Sequence, residues 1–272
     1  MIPTMRQFKS CRDFGKFARS VKSHSRYILE PDAQDFLDTV IETAASRVDT
    51  LSAGSFLYRA QIGHIWEKQP CDPNEPDGDF FEVPYPYEPE RMKPLKDSAR
   101  EGRVNPKGIP CLYLSSDAAT AMSETRPWID SKISLAKFKI LEDIPILNCP
   151  EPKLYTKIFF NPPHDGETED PPEREKAVWG EIAYAFSEPV TPSDMTADYA
   201  PTQYLAEAFR KIGCAGILYY SRLGEGSSLA LFDPDKADLM NCGVFNTPSV
   251  KFKFDQDGNP YFIPKHYPDL SK

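Results

Sequence analysis

The chain has 272 residues, 40% of them hydrophobic, and a formal net charge of −9. That is apolar content enough for a folded core and too acidic a balance for wholesale nucleic-acid binding. Its 27 prolines are about twice the usual share and call for long irregular connections. The six cysteines, Cys11, Cys71, Cys111, Cys149, Cys214 and Cys242, show no C-x-x-C spacing, and no two histidines stand at ligand spacing. Neither a metal site nor a redox pair is signalled. With no signal-peptide core and no membrane-length apolar run, the reading is a reduced cytoplasmic protein without a membrane or direct nucleic-acid partner.

In residues 4–26, Arg6, Lys9, Arg12, Lys16, Arg19, Lys22 and Arg26 recur every three or four positions, with Phe14, Phe17, Ala18 and Val21 on the other side of the wheel. This predicts a basic amphipathic helix. It is either a solvated face over a packing face or a surface for an anionic membrane or acidic partner. A second helix starts at Pro31 and carries the stripe Phe36, Leu37, Val40, Ile41, Ala44, Ala45 and Val48. Together they read as a small helical N-terminal appendage over 1–53. The strand SFLYRAQI follows, with Arg59 inside it. An arginine in an apolar strand is expensive to bury unless paired, so it is a structural ion-pair member or an anion ligand. The proline-rich acidic segment near 70–94 reads as a surface insertion whose charge neutralises the basic helix.

The stretch Gly102–Trp128, GRVNPKGIPCLYLSSDAATAMSETRPW, reads as a loop, a strand over 109–114, a cap at Ser116 or Asp117, and a helix limited by Pro127. Thr120, Ala121 and Glu124 share one helical face, so small side chains leave room beside the carboxylate. Strands are expected over 133–140 and at IPILNC, and a second proline-rich acidic loop over 161–175. AVWGEIAYAF fits helix or strand. TQYLAEAFRKIG is a helix stopped at Gly213, CAGILYYS (214–221) and SLALFDP are strands, and the C-terminal extension 246–272 turns as a hairpin at Asp257-Gly258.

Phosphate-loop, dinucleotide and nucleophile-elbow motifs are absent. What remains is a set of polar residues at strand ends and on one helix: Arg59, Arg103, Tyr113, Glu124 and Ser221. Guanidinium groups fork onto phosphate, tyrosine offers a stacking face, and a carboxylate steadies cationic character. The set suits a phosphorylated nucleoside whose glycosidic bond is to be broken. Each residue also has an ordinary alternative: strand core for Tyr113, a strand-end cap for Ser221, a surface charge for Arg103 and solvation for Glu124.

The ordered pieces Tyr58-Arg59, Gly102-Arg103-x-Asn105-x-x-Gly108-x-Pro110, Leu112-Tyr113-Leu114, Glu124, Tyr199-x-x-Thr202-Gln203-Tyr204-Leu205-Ala206, Gly216-Ile217-x-x-x-Ser221 and Leu231-Phe232 resemble the RES-domain toxins over roughly residues 54–245. The resemblance implies an α/β (α+β) domain with an ADP-ribosyltransferase-like mixed-sheet cleft. It also implies that NAD is a substrate, with no further cofactor, cleaved at the nicotinamide–ribose bond with water or phosphate as acceptor, and that a protein antitoxin restrains the enzyme. On matched positions, Glu124 would steady the ribosyl cation, Arg59 and Arg103 hold phosphate or ribose groups, Tyr113 pack on nicotinamide, and Ser221 orient the ribose side. The alternatives are ADP-ribosylation of a macromolecule and a non-catalytic NAD-binding or interaction domain. The chain departs from the family at Ser227-Ser228-Leu229, where an asparagine often precedes the Leu-Phe strand.

Overall fold

A computed structural model describes residues 6–73, 78–95, 98–149, 170–188, 196–254, 256 and 258. Helices α1 (Asp13–Ser23) and α2 (Pro31–Ala44) lead into strands β1 (Val48–Leu51), β2 (Phe56–Ile62), β3 (Ile65–Pro70) and β4 (Phe80–Tyr85). Then come α3 (Pro89–Met92), β5 (Leu112–Ser115), α4 (Ala118–Glu124), β6 (Lys132–Ile140) and β7 (Ile144–Asn148). The chain continues through α5 (Pro171–Ser187), α6 (Ala200–Lys211), β8 (Gly216–Tyr220), β9 (Ser227–Leu231) and β10 (Ala237–Asn246). Eight strands form one sheet in the order β1-β7-β8-β9-β5-β2-β6-β10, while β3 and β4 make a separate two-stranded ribbon. The sheet is mixed: β7 and β8 run parallel, and the other neighbours are antiparallel. A parallel neighbour requires a crossover, and α5 and α6 lie in that connection.

Strand alternation sorts side chains to two cores. On β9, Ala230 belongs to a cluster with Phe17, Phe36, Trp179 and Phe209 from the helices, whereas Leu229 and Leu231 join Leu57, Phe138 and Met92. The N-terminal helices are therefore part of the main core, which corrects the expected appendage. Phe17 stacks on Phe36 at 4.8 Å and meets the edge of Tyr204 at 6.0 Å. The buried Trp179 indole donates to Thr43 Oγ1 at 3.1 Å, and β1 is the edge strand beside β7. Burying this apolar stripe, more than helix propensity, holds such helices in place.

The basic periodicity of 4–26 does not form one helix. The Asp13 carboxylate accepts the amides of Lys9 and Ser10 at 2.7 and 2.9 Å, so α1 begins there. Arg6 and Lys9 instead reach α2, pairing with Asp35 at 2.9 and 2.8 Å. Arg6 also meets Asp38 and Glu42, and Lys22 meets Asp198 at 2.8 Å. Among the described residues, α2 supplies most of the neutralising charge assigned by sequence to the 70–94 segment. That segment is itself partly ordered: β3 pairs with β4 from Ile65↔Tyr85 to Pro70↔Phe80, and Met92 of α3 is wholly buried. Both strands are exposed along most of their length, so they lack the alternation that marks a strand in sequence. The undecided AVWGEIAYAF lies inside α5, which starts at Pro171 and shortens the expected 161–175 loop. The rest of that loop and most of the expected C-terminal hairpin fall outside the described residues; β10 ends at Asn246, and the described residues 247–254 carry no strand.

Glu181 of α5 accepts the backbone N–H of Gly15 in the first turn of α1, and burial, reinforced by Asp13, raises its carboxyl to about 7. Its second oxygen has no partner among the described residues. Between the ordinary 4.5 and about 7 the folded protein holds a proton that the unfolded chain releases. Stability from this group is thus full below about 4.5 and lost as pH rises through about 7. Glu181→Gln should be more stable than wild type at pH 8, by on the order of 1–2 kcal/mol, and no more stable at pH 5. Urea unfolding at both values checks this; an equal difference at the two pH values would remove Glu181 as the cause.

Candidate functional site

Strand β5 touches β2 through one register pair, Tyr58↔Ser115, while pairing with β9 from Leu112↔Leu231 to Ser115↔Ser228. The splay between β2 and β5 opens a cleft of about 320 Å³, lined among others by Tyr58, Arg59, Arg103, Glu124, Tyr219 and Ser228. Its floor is one cross-strand row, Tyr58–Ser115–Ser228–Tyr219, running over β2, β5, β9 and β8. Paired residues share a sheet face, so two serines sit between two tyrosines. A larger hollow of about 410 Å³ lies between α1 and α2, but Lys9 and Lys16 on its wall are paired with Asp35 and Asp13.

Glu124 is the last residue of α4. Asp117 caps that helix, accepting from the Thr120 N–H at 2.8 Å and the Thr120 hydroxyl at 2.8 Å. The backbone N–H of Thr120 is the main reason the Asp117 carboxyl titrates low. The 221–227 loop is stitched to the same cap. The Gly226 N–H donates to Thr120 Oγ1 at 3.0 Å and the Ser227 N–H to Ser116 Oγ at 3.0 Å. A Cβ on Gly226 would lie 2.1 Å from Asp117 Oδ2, so glycine is what lets the loop approach. This contact delivers Ser221, whose hydroxyl donates to Glu124 Oε1 at 2.5 Å and accepts the amides of Leu223 and Gly224 at 3.2 and 3.1 Å. Ser221 thus fixes one carboxylate oxygen.

The two arginines differ. Arg59 donates to the Tyr113 carbonyl at a long 3.4 Å, and its buried Nε has no partner among the described residues. Desolvation lowers its pKa, yet a guanidinium stays charged. Among the described residues no carboxylate pairs with it. Arg103 donates to the Glu188 carbonyl at 2.7 Å and sits 5.4 Å from the centre of the Tyr219 ring, again with an orphaned Nε. Burial pushes the Tyr219 phenol up to about 12, with the Glu124 charge contributing, so Tyr219 stands near both groups.

Tyr113 lines the cleft, but its hydroxyl is committed elsewhere. It donates to Asn105 Oδ1 at 2.7 Å and accepts the Val104 N–H at 3.0 Å. The buried Asn105 amide in turn donates to the carbonyls of Arg100 and Ile109. From α6, Thr202 donates to the Arg103 carbonyl at 2.7 Å and Gln203 to the carbonyls of Gly102 and Asn105 at 2.9 and 3.1 Å. These bonds hold the arginine-bearing loop. Four of the five expected residues, Arg59, Arg103, Tyr113 and Glu124, line the cleft, and Ser221 lies buried beside it, bonded to Glu124. The structure adds Tyr219 and Ser228, which no local sequence signal distinguished from strand core.

The RES domain matches residues 81–255, well over half of the chain. The chain belongs to the RES family. Arg103, Tyr113, Glu124 and Ser221 lie within the RES match, while Tyr58 and Arg59 precede it and stand in the site by geometry. No curated protein sequence matches the chain. Among solved structures, the crystal structure of the M. tuberculosis MbcT–MbcA toxin–antitoxin complex aligns at 15% identity over 77% of this chain and 92% of that one, with a TM-score of 0.35. Among the described residues of this RES protein, no helix is long and apolar enough to cross a membrane.

Proposed function

We propose that this RES protein cleaves the nicotinamide–ribose bond of NAD and passes the ADP-ribosyl group to water or phosphate. The observation that carries the reading is Glu124 held by Ser221 at 2.5 Å in a cleft whose two arginines have no carboxylate partner among the described residues. The arginines suit the anionic dinucleotide. As the C–N bond breaks, its electron pair leaves with nicotinamide and positive charge grows on the ribose, where a fixed carboxylate stabilises it. An acceptor oxygen then bonds to that carbon, and the proton it sheds passes to solvent. Incubation of purified protein with NAD, with and without phosphate, tests this. ADP-ribose identifies water as acceptor and a phosphorylated ADP-ribose identifies phosphate. Unchanged NAD in both overturns the reading; ADP-ribose attached to a protein moves the acceptor to a macromolecule.

The family resemblance extends the proposal to a protein antitoxin, since unrestrained NAD cleavage drains the producing cell. Expression of the chain alone should arrest growth and deplete NAD. Normal growth with normal NAD would remove the need for such a partner.

A further inference from the structure

Ser228 is buried, 4% exposed, and its hydroxyl makes no hydrogen bond among the described residues. A buried hydroxyl left unpaired carries its full desolvation cost, and most such groups in folded proteins find partners. Two further orphaned donors, Arg59 Nε and Arg103 Nε, belong to residues lining the same cleft. Arg Nε can only donate, and a serine hydroxyl can donate as readily as accept. Among the described lining residues Glu124 is the sole carboxylate, beside two guanidinium groups in a chain that is otherwise strongly acidic.

We infer that Ser228 is the third donor, with Arg59 and Arg103, of a phosphate-binding site on the cleft floor. A tetrahedral oxyanion is the ligand that can accept from all three. The register supports this: Ser228 sits between Ser115 and Tyr219 in the floor row, and Arg103 stands over Tyr219. The phosphate group is either the pyrophosphate of a dinucleotide or the free acceptor. The choice between them rests on the NAD-cleaving reading; the site itself does not.

Ser228→Ala separates a ligand donor from a structural residue because the two readings move stability in opposite directions. Removing an unpaired buried hydroxyl leaves the melting temperature unchanged or higher. The concentration of inorganic phosphate needed for half-maximal thermal stabilisation, at constant ionic strength, should rise about 10- to 100-fold, as for loss of a hydrogen bond to a charged group. If NAD is cleaved, a raised KM for NAD in phosphate-free buffer assigns the site to the pyrophosphate. A raised requirement for phosphate at unchanged NAD KM assigns it to the acceptor. Wild-type protein that responds to phosphate but leaves NAD intact keeps the site and sinks the proposed reaction. Unchanged phosphate and NAD constants in Ser228→Ala would overturn the inference, as would a lower melting temperature with unchanged affinity.

Discussion

Glu124→Gln should leave the protein folded and reduce NAD cleavage by about 10²–10³-fold, the usual cost of one preorganised electrostatic contact. The substitution is nearly isosteric, and its amide oxygen can still accept the Ser221 hydroxyl that now lies 2.5 Å from Oε1. Position is preserved while the charge is removed. The effect should therefore fall on kcat, with KM for NAD little changed, because the stabilisation arises only as the ribose becomes cationic. Steady-state kinetics beside a melting curve check this. A folded variant with wild-type kcat would place the chemistry elsewhere in the cleft.

Arg59 leads to the second large effect. A buried arginine paired with a carboxylate is costly to remove, because the abandoned acid loses its partner. Arg59 has no such partner among the described residues; its recorded bond is the 3.4 Å contact to a carbonyl. Arg59→Ala should then leave the melting temperature within a few degrees of wild type, some loss coming from the packed stem. NAD affinity should fall about 10- to 100-fold, the range for a hydrogen bond to a charged group. Arg59→Lys should recover stability but little affinity, since an ammonium cannot reproduce the planar fork. If Arg59→Ala unfolds the protein while the residual folded fraction binds NAD normally, the residue belongs to the fold and leaves the site.

Local chemistry made much of the site readable. Asp117 as a cap, the small face around Glu124 and the strand carrying Tyr58-Arg59 all follow from rules that act within a few residues. What the sequence concealed depends on register. Ser115 lies far from Tyr219 and Ser228 in the chain, and only the pairing of β5, β9 and β8 puts the three in one row. The role of Tyr113 shifted for a similar reason. Its ring borders the cleft as expected, but its hydroxyl serves Asn105 and Val104, a use fixed by the path of the 102–110 loop. The β3–β4 ribbon was hidden because it has no buried face to impose alternation. The N-terminal helices show their apolar stripes in the sequence, but a stripe shows that something covers it without showing what.

That placement separates two kinds of boundary. The RES match begins at residue 81, yet Trp179 within it hydrogen-bonds Thr43 of α2, and Arg47 lies 4.5 Å over its ring while pairing with Glu175 at 2.9 Å. Phe17 covers Phe36 and Tyr204 beside it. A fragment cut at the family boundary would carry the glutamate and serine but expose the aromatic surface of α5 and α6 and lose both β1 and β2, the latter with Arg59. The matched segment and the unit of folding do not coincide in this protein, and a truncation designed on the first would fail by the rules of the second.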